Sequence, residues 1–328
     1  MPLPIPTRSN PAPQHGSSDT TVAVSFILAT RGRTAQLVEA LQVWIHVQSR
    51  ATWELIVVDN NADDQTWDVL QEWRDRLPMR MIRERRPGVT GARNAGFVVT
   101  TGTIVAVIDD DCYPAPSLVD AWIDVFADEH VDFAVGRIEL FDPDDLPITI
   151  KTATEPAWYP PFRFIPPGEL HSASMAFRRE IFVDVGPFDL DLGPGSPFRS
   201  GDDTELFQRA SLLGYTGRYS PEALIWHHHR RRAADYAGLQ RSYDLGAGAA
   251  YACIALLLPG AVLRLCRDAM GRAGGSVPWA KQVFWDTRGR HGGSLLVMAG
   301  AALRFSLVLA RRGWRRPTWH NPAWDRHL

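Results

Sequence analysis

The sequence predicts an α/β fold built on a mostly parallel β-sheet with helices on both of its faces. First, apolar and β-branched segments with the length of buried strands recur along the N-terminal half, at 21–30, 53–61, 78–85 and 103–111. Second, the segments between the first three of them, 33–49 and 65–77, carry apolar residues at helical spacing. Third, strand and helix alternate with the spacing of βαβ units, which favours parallel pairing.

The segments that follow continue this pattern. A helix is predicted at 117–128 and a strand at 131–141, and the Pro-rich segment 143–170 is expected to form a long loop. A short strand, a helix and a glycine-rich turn come next and lead into a helix at 201–215. The last strand is predicted at 219–231. In sheets of this kind, ligands bind beyond the carboxyl ends of the strands.

The charges divide the chain into an acidic body and a basic C-terminal region. The chain of 328 residues has 35 Lys and Arg and 37 Asp and Glu, but 16 of the basic residues and only 5 of the acidic ones lie at or after residue 230. We therefore predict three parts: a disordered Pro/Ser-rich leader at 1–20, an α/β domain at 21–232, and a basic, Trp-rich helical region at 233–328 that would face a membrane or an acceptor substrate.

Two apolar segments distinguish the C-terminal region. The segment 245–263 carries no charge, and 292–310 carries only Arg304. The tryptophans that flank them are Trp279, Trp285, Trp314, Trp319 and Trp324. Arginine, tryptophan and apolar segments together are typical of contact with an anionic membrane surface. Two alternatives stay open: a membrane-spanning helix, and a pair of helices buried against the α/β domain.

The cysteines and the N-terminus indicate a cytoplasmic protein, free or bound to the inner face of the cell membrane. Cys112, Cys253 and Cys266 are odd in number and lack C-x-x-C spacing, which argues against a disulfide framework and a zinc site. The N-terminus has no apolar segment of the signal-peptide kind. We expect no nucleic-acid partner.

Three consecutive aspartates, Asp109–Asp111, end the fourth predicted strand. Strand alternation would point Asp109 and Asp111 one way and Asp110 the other. No cation stands among their neighbours along the chain. Close carboxylates of this kind typically hold a hard divalent ion together with substrate phosphates, whereas the alternative is a solvated acidic turn that caps the next helix.

A second acidic pair, Asp202 and Asp203, begins the helix predicted at 201–215. A helix N-terminus favours ionised carboxylates, and simple N-capping is the alternative interpretation. The glycine-rich segment before the pair, 192–201, would let a loop close over a substrate. A carboxylate kept ionised beside a metal and phosphate site can act as a general base for a hydroxyl.

Further polar residues stand where strands end or helices begin. Thr30 and Asp59 end the first two strands, so they should converge with the three aspartates at one edge of the sheet. Arg93, in the segment GARNAG, would neutralise a diphosphate or bridge to the aspartates. In WHHHRRR, His227 and His229 share a strand face, and one of them is a candidate additional metal ligand.

Taken in order, these motifs resemble family 2 glycosyltransferases of bacterial type, which have the Rossmann-like GT-A fold. The resemblance runs from about Val22 to Arg230 through FILATRGR, LIVVDNN, GARNAG, IDDD, SMAFRREIF, VGPFD, GDDTEL and WHHHR. It implies an inverting transfer of a sugar from a nucleotide-diphosphate donor, with Mn²⁺ or Mg²⁺ as cofactor. The donor would be a UDP-sugar or, as the alternative, a dTDP-sugar. The acceptor hydroxyl would belong to a lipid-linked glycan or a natural product.

The resemblance also implies roles for individual residues at the nucleotide. The residues expected there are Thr30, Arg31, Asp59, Arg93, Asp109 and Asp110. Thr30, Arg31 and Asp59 would hold the base and the ribose. Asp109 and Asp111 match the D-x-D element of the family, with Asp109 towards the ribose and Asp111 on the metal.

On the acceptor side, Asp203 matches the catalytic base of the family, and Asp202 would accompany it. His227 matches a late histidine near metal and diphosphate, with His229 as the alternative. Where the family often has Gly-Ala-Asn, the chain has Ser-Ala-Ser at 172–174, at the place where the sugar would bind.

Two other kinds of protein remain as alternatives. A nucleotidyltransferase acting on sugar phosphates would also use a parallel sheet and metal-binding aspartates. It would, however, be expected to carry a glycine-rich loop with Lys or Arg directly after the first strand, of which ATRGRTAQ shows little. The other alternative is a non-catalytic nucleotide-sugar-binding protein, against which the presence of both Asp111 and Asp203 argues.

Overall fold

A computed structural model describes residues 21–60, 64–263 and 292–315. The strands are β1 (Val24–Thr30), β2 (Trp53–Asn60), β3 (Met79–Glu84), β4 (Ile104–Asp109), β5 (Cys112–Pro114), β6 (Phe133–Leu140), β7 (Ala157–Tyr159), β8 (Ser174–Arg178) and β9 (Gly217–His227). The helices are α1 (Thr34–Trp44), α2 (Asp64–Trp73), α3 (Val89–Val99), α4 (Leu118–Phe126), α5 (Phe182–Val185), α6 (Asp202–Leu212), α7 (Tyr236–Leu257) and α8 (Gly292–Arg311). The predicted leader at 1–20 lies outside the described residues.

The strands form one mixed sheet in the order β3-β2-β1-β4-β8-β6-β9-β5, with β7 paired to β9. Strands β1 to β4 pair in parallel, and β8 is antiparallel to both β4 and β6. Since β8 is antiparallel to both β4 and β6, strand β6 runs in the direction of β1 to β4. Strand β9 pairs in parallel with β6 and therefore runs in this direction as well. Six strands therefore share one direction, and the predicted mostly parallel α/β sheet is confirmed.

Both faces of the sheet are buried, which explains why its strands are almost continuously apolar. Phe26 and Leu28 of β1 pack on the side of α1, α2 and α4. Ile27, between them, packs on the opposite side with residues of α3, α5 and α6. This arrangement holds the carboxyl ends of β1 and β4 at one edge, where α3 and α6 begin.

Helices α7 and α8 pack against each other and against the α/β domain. Ala249, Ala250 and Cys253 of α7 form a core with Ala301, Phe305 and Leu309 of α8 and with Leu192 and Phe198. None of the helices in the described ranges is long and apolar enough to span a membrane. The packing agrees with the alternative of two helices placed against the domain. Of the flanking tryptophans, all except Trp314 lie outside the described residues.

Gly248 permits the close approach of α7 to α8. A Cβ atom at Gly248 would lie 2.2 Å from the Met298 carbonyl oxygen, whereas one at Gly238, on the same helix, would meet nothing within 4 Å. We expect Gly248→Ala to lower the free energy of unfolding by about 1–3 kcal/mol, because the backbone of α8 must shift. Gly238→Ala should instead raise it by about 0.5–1 kcal/mol. Urea unfolding of the two variants measures both effects, and equal effects would contradict the packing described.

Candidate active site

A cavity of about 850 Å³ opens at the carboxyl ends of β1 and β4, in front of α3 and α6. Ten of the eleven residues singled out from the sequence line it: Thr30, Arg31, Arg93, Asp109, Asp110, Asp111, Asp202, Asp203, His227 and His229. The loop predicted at 143–170 contributes Ile148–Ile150, Pro167 and Gly168. Topology thus brings together residues that are far apart in the chain.

The three aspartates do not alternate as a strand would require. Strand β4 ends at Asp109, and Asp110 and Asp111 lie in a turn. The expectation that Asp110 faces away from Asp111 is therefore wrong, since both carboxylates accept hydrogen bonds from Nη1 of Arg33, each at 2.9 Å. Asp110 also accepts a 2.7 Å hydrogen bond from the Thr30 hydroxyl.

Arg33 supplies positive charge to Asp110 and Asp111, although no basic residue lies near these aspartates in the sequence. It follows β1 and lies 77 residues before Asp110 in the chain. Burial raises the pKa of Asp110, Arg33 lowers it, and the neighbouring Asp111 raises it again, with a result of about 6. One guanidinium therefore compensates two buried carboxylates only in part.

The charge compensation by Arg33 can be tested by measuring the free energy of unfolding. We expect Arg33→Met to lower the free energy of unfolding at pH 7 by about 1–2 kcal/mol, a value limited by the solvent exposure of the arginine. The loss should shrink as the pH falls through about 6, because a protonated Asp110 no longer needs the cation. Urea unfolding at pH 5 and pH 7 measures this, with the exposed Arg31→Met as control. A loss that does not depend on pH would contradict this role of Arg33.

Asp111 and His227 form a pair suited to a metal ion. Nε2 of His227 lies 3.3 Å from Oδ1 of Asp111. Burial by itself raises the pKa of Asp111, but His227 and Arg33 outweigh it and hold the pKa at about 2. Two ligand atoms bound at about 2.1 Å and at right angles to one ion lie about 3 Å apart, so these two atoms fit Mn²⁺ or Mg²⁺. Cys112 is also close, but burial raises the pKa of its thiol well above the usual range, and a hard ion prefers oxygen.

His229 is engaged elsewhere. Its Nδ1 accepts a 3.0 Å hydrogen bond from the backbone N–H of Arg231, and its Nε2 lies 2.9 Å from the Leu146 carbonyl oxygen, to which it can donate. Burial lowers the pKa of His229, and the nearby His227 lowers it further. A neutral ring with both nitrogens in use is a poor metal ligand, so the geometry favours His227.

Arg93 connects the aspartate cluster to the start of α6. Its buried guanidinium donates to Asp109 at 2.8 Å and to Asp202 at 2.6 Å. The sequence left two roles open for Arg93, neutralising a diphosphate or bridging to the aspartates, and the structure shows the bridge. Burial raises the pKa of Asp202, Arg93 lowers it and Asp203 raises it, to about 6.

Asp203 faces the cavity at the first turn of α6. Its carboxylate accepts hydrogen bonds from the backbone N–H groups of Thr204, at 2.7 Å, and Ser172, at 3.2 Å. Burial raises the pKa of Asp203, and the hydrogen bond from Thr204 counteracts this shift. The residue before α6, Gly201, is left-handed at φ 87°. A Cβ atom there would lie 2.5 Å from the Gly246 carbonyl oxygen, so α7 and the start of α6 are in direct backbone contact.

Helix α7 forms a wall of the cavity with residues that the sequence did not single out. It contributes Tyr236, Leu239, Gln240, Ser242, Tyr243 and Ala247. Burial raises the pKa of Tyr243, and the nearby Asp203 raises it further. The domain boundary predicted at residue 232 stays a prediction. Residues before and after this position both line the cavity.

Asp59 is the predicted residue that does not line the cavity. Its carboxylate is 1% exposed and lies 3.2 Å from Nε of Arg83. The next residue, Asn60, lines the cavity, accepts from the Gly88 N–H at 2.9 Å and donates to the Arg86 carbonyl at 2.6 Å. Side chains alternate along a strand, so a polar pair at its end leaves open which member faces the ligand.

His171 also lines the cavity and was missed. Burial lowers the pKa of His171 to about 4, with further lowering by Lys151 and His227, so it is neutral at physiological pH. An isolated histidine three residues before the short strand β8 carries no pattern that would single it out.

Comparisons with known proteins agree with this architecture. Residues 25–185 match the family described as "Glycosyl transferase family 2", a range that includes Asp109–Asp111 and ends before Asp203 and His227. Glycosyltransferase AglE of Haloferax volcanii is 26% identical over 188 residues, which cover 54% of this chain and 57% of AglE. The chain spans about half the length of the first curated relatives that it matches.

Solved structures share the fold. The mannosyltransferase PcManGT from Pyrobaculum calidifontis, in complex with GDP-Man and Mn²⁺, has a TM-score of 0.54 at 18% identity over 88% of this chain and 90% of that chain. GalNAc-T7 with UDP, GalNAc and Mn²⁺ has a TM-score of 0.51 at 15% identity over 74% and 52%.

The fold is thus GT-A-like. Within this fold, residues 25–185 form a domain of the family 2 glycosyltransferases.

Proposed function

We propose that the chain transfers a sugar, with inversion, from a nucleotide-diphosphate donor to an acceptor hydroxyl, and that the reaction requires Mn²⁺ or Mg²⁺. The observation that carries this proposal is the presence of two carboxylate groups in one cavity: Asp111 with His227, and Asp203 at the start of α6. Arg93 connects the neighbours of these two carboxylates, Asp109 and Asp202.

Asp111 and His227 are the residues that would hold the metal. The low pKa of Asp111, about 2, keeps it ionised, and the ring nitrogen of His227 already faces it. The mannosyltransferase and GalNAc-T7 structures, which share this fold, contain Mn²⁺. A bound divalent ion would neutralise the charge that develops on the leaving diphosphate.

Asp203 is proposed as the general base. Its carboxylate is held by two backbone N–H groups, which leaves lone pairs free for the acceptor hydroxyl. Inversion requires that the hydroxyl attack from the face of the sugar opposite the diphosphate, and the base must therefore lie across the cavity from Asp111. Asp202, bound to Arg93, accompanies the base and orients the arginine on the acceptor side.

The nucleotide would lie against Thr30, Arg31, Asp109 and Asp110, with Asp59 at the base. Thr30 and Asp110 are already hydrogen bonded, which fixes the edge where a ribose would bind. In this structure Asp59 pairs with Arg83, so it would contact the base only after a rearrangement. The two solved structures contain GDP-Man and UDP, respectively, and we favour a UDP-sugar with dTDP-sugar as the alternative.

The acceptor would approach along α7, next to Asp203. Tyr236 and Tyr243 provide aromatic surface there, and Gln240 provides hydrogen-bonding groups. This composition suits a sugar ring of a lipid-linked glycan or a natural product with a hydroxyl group.

Product analysis tests the proposal. The chain is incubated with UDP-, dTDP- and GDP-sugars and Mn²⁺, with candidate acceptors, and the released nucleotide is identified. Release of a nucleoside diphosphate that depends on the metal supports glycosyl transfer. Pyrophosphate released from a nucleoside triphosphate and a sugar phosphate would instead identify a nucleotidyltransferase, and binding without any release would identify a non-catalytic binding protein.

A further inference from the structure

Helix α8 presents an apolar face to solvent in the part of the chain that the structure describes. Its inner face is buried through Met298, Ala301, Phe305 and Leu309. On the outer face, Leu296, Leu303 and Leu307 are 76%, 66% and 56% exposed. Their spacing places them on one side of the helix, where the outer helix of a globular protein normally carries polar residues.

The residues between these leucines strengthen the apolar character. Leu295 is 43% exposed, and Ala299, Gly300 and Ala310 are exposed as well. The only charged residues of α8 are Arg304 and Arg311. The face is thus continuous along the described length of the helix.

Arginines and a tryptophan border this face. Arg304 and Arg311 are exposed, and the helix is followed by Trp314, which is 51% exposed, and by Arg315. No acidic residue occurs between 292 and 315. Leucines on one side of a helix, with arginines and a tryptophan at its border, are the composition of helices that lie in the lipid–water interface.

We propose that this outer face of α8 binds the surface of a membrane that contains anionic lipid, with the helix in the plane of the interface. The leucines would enter the boundary between headgroups and acyl chains, and Arg304, Arg311 and Arg315 would contact lipid phosphates. A second copy of the chain fits less well, because a symmetric interface would bring the same arginines together, and residues 292–315 contain no acidic residue to pair with them.

The position of α8 connects this surface to the cavity. Helix α7 lines the cavity on one side and contacts α8 on the other, through Gly248 and Met298. Arg312, at the end of α8, pairs with Asp189 and Asp191, just before the glycine-rich loop that leads to α6. Membrane binding by α8 would therefore place the cavity near the lipid, with only α7 between the cavity and α8. This inference goes beyond the proposed function and does not depend on it.

Flotation of the full chain with lipid vesicles tests the proposal. We expect binding to phosphatidylcholine vesicles that contain phosphatidylglycerol, and much weaker binding to phosphatidylcholine alone. The double variant Leu303→Asp/Leu307→Asp should lower the membrane partition constant by about tenfold or more. Arg311→Glu should lower it about fivefold or more on anionic vesicles. The matched control is Val183→Asp, at an apolar position that is 83% exposed on α5, and it should bind as the wild type does.

Three results would overturn the proposal. The first is that the wild type does not bind anionic vesicles, and the second is that the double variant binds them as well as the wild type does. The third is that the wild type is a dimer and the double variant a monomer. The last would assign the face to a second copy. Unchanged thermal unfolding of the variants establishes that they are folded, as expected for exposed positions. Nucleotide binding is measured separately, so failure of this proposal and failure of the proposed function are distinguishable.

Discussion

Replacing Asp203 by asparagine is expected to reduce the rate of sugar transfer by about 10²–10⁴-fold, the usual contribution of a general base. Asparagine keeps one oxygen, which can accept the 2.7 Å hydrogen bond from the Thr204 N–H, and loses only the longer 3.2 Å bond from Ser172, so the start of α6 should keep its shape. Nucleotide affinity in the presence of Mn²⁺ should not change, since Asp111 and His227 are untouched. Steady-state transfer rates and calorimetric titration with a nucleoside diphosphate measure the two quantities.

The pH profile adds an independent test of Asp203. Burial raises the pKa of this carboxyl above the usual range for aspartate, and only the ionised form can accept the proton of the acceptor. The wild-type rate should therefore increase with pH through this raised pKa, and Asp203→Asn should lose that limb of the profile. Asp120→Asn, an aspartate in the first turn of α4 outside the cavity, is the control. A variant at Asp203 that keeps wild-type turnover would exclude it as the base.

Replacing Asp111 by alanine is expected to lower both turnover and nucleotide affinity. Loss of residues that only orient a metal ligand typically costs about 10–100-fold in metal affinity, so removal of a ligand should cost about 100-fold or more. The affinity of Asp111→Ala for a nucleoside diphosphate in Mn²⁺ should fall to the value measured with a chelator. Titration with and without Mn²⁺ measures this.

The run of three histidines supplies a matched pair of variants for the same test. His227→Ala removes the ring that faces Asp111 and should weaken the metal dependence. His228→Ala removes a neighbouring ring that packs on Phe141 and lies outside the cavity lining, and it should leave the metal dependence unchanged. Equal donor affinity in Asp111→Ala and the wild type would rule out the proposed metal ligands.

The main sheet could be predicted because its strands are buried on both faces and therefore stand out as apolar runs. Strands β1, β2, β3 and β4, and helices α1 and α2 between the first three of them, follow the predicted order closely. The short strands β5 and β7 were not predicted, since three residues are too few for any periodicity and both are formed by pairing to β9. Their existence depends on tertiary structure alone.

The site could be predicted to the extent that topology determines it. Residues at the ends of parallel strands must meet at one edge, which is why Thr30 and the aspartates converge. The orientation of Asp110 could not be predicted, because the strand stops at Asp109, two residues before its predicted end. The partnership of Arg33 with Asp111 and the wall formed by α7 join distant parts of the chain, and no local pattern records either.

The central claim is that Asp111 and His227 hold a divalent ion that binds the diphosphate of the donor, and one measurement tests it most directly. Thermal unfolding of the wild type and of Asp111→Ala is followed with nucleotide sugars, with and without Mn²⁺. A ligand at 100 times its Kd stabilises the native state by about 2.7 kcal/mol, which raises the unfolding temperature measurably. We expect a nucleotide-diphosphate sugar to stabilise the wild type only with Mn²⁺, and Asp111→Ala not at all. Equal stabilisation without metal, or in both proteins, would contradict the claim.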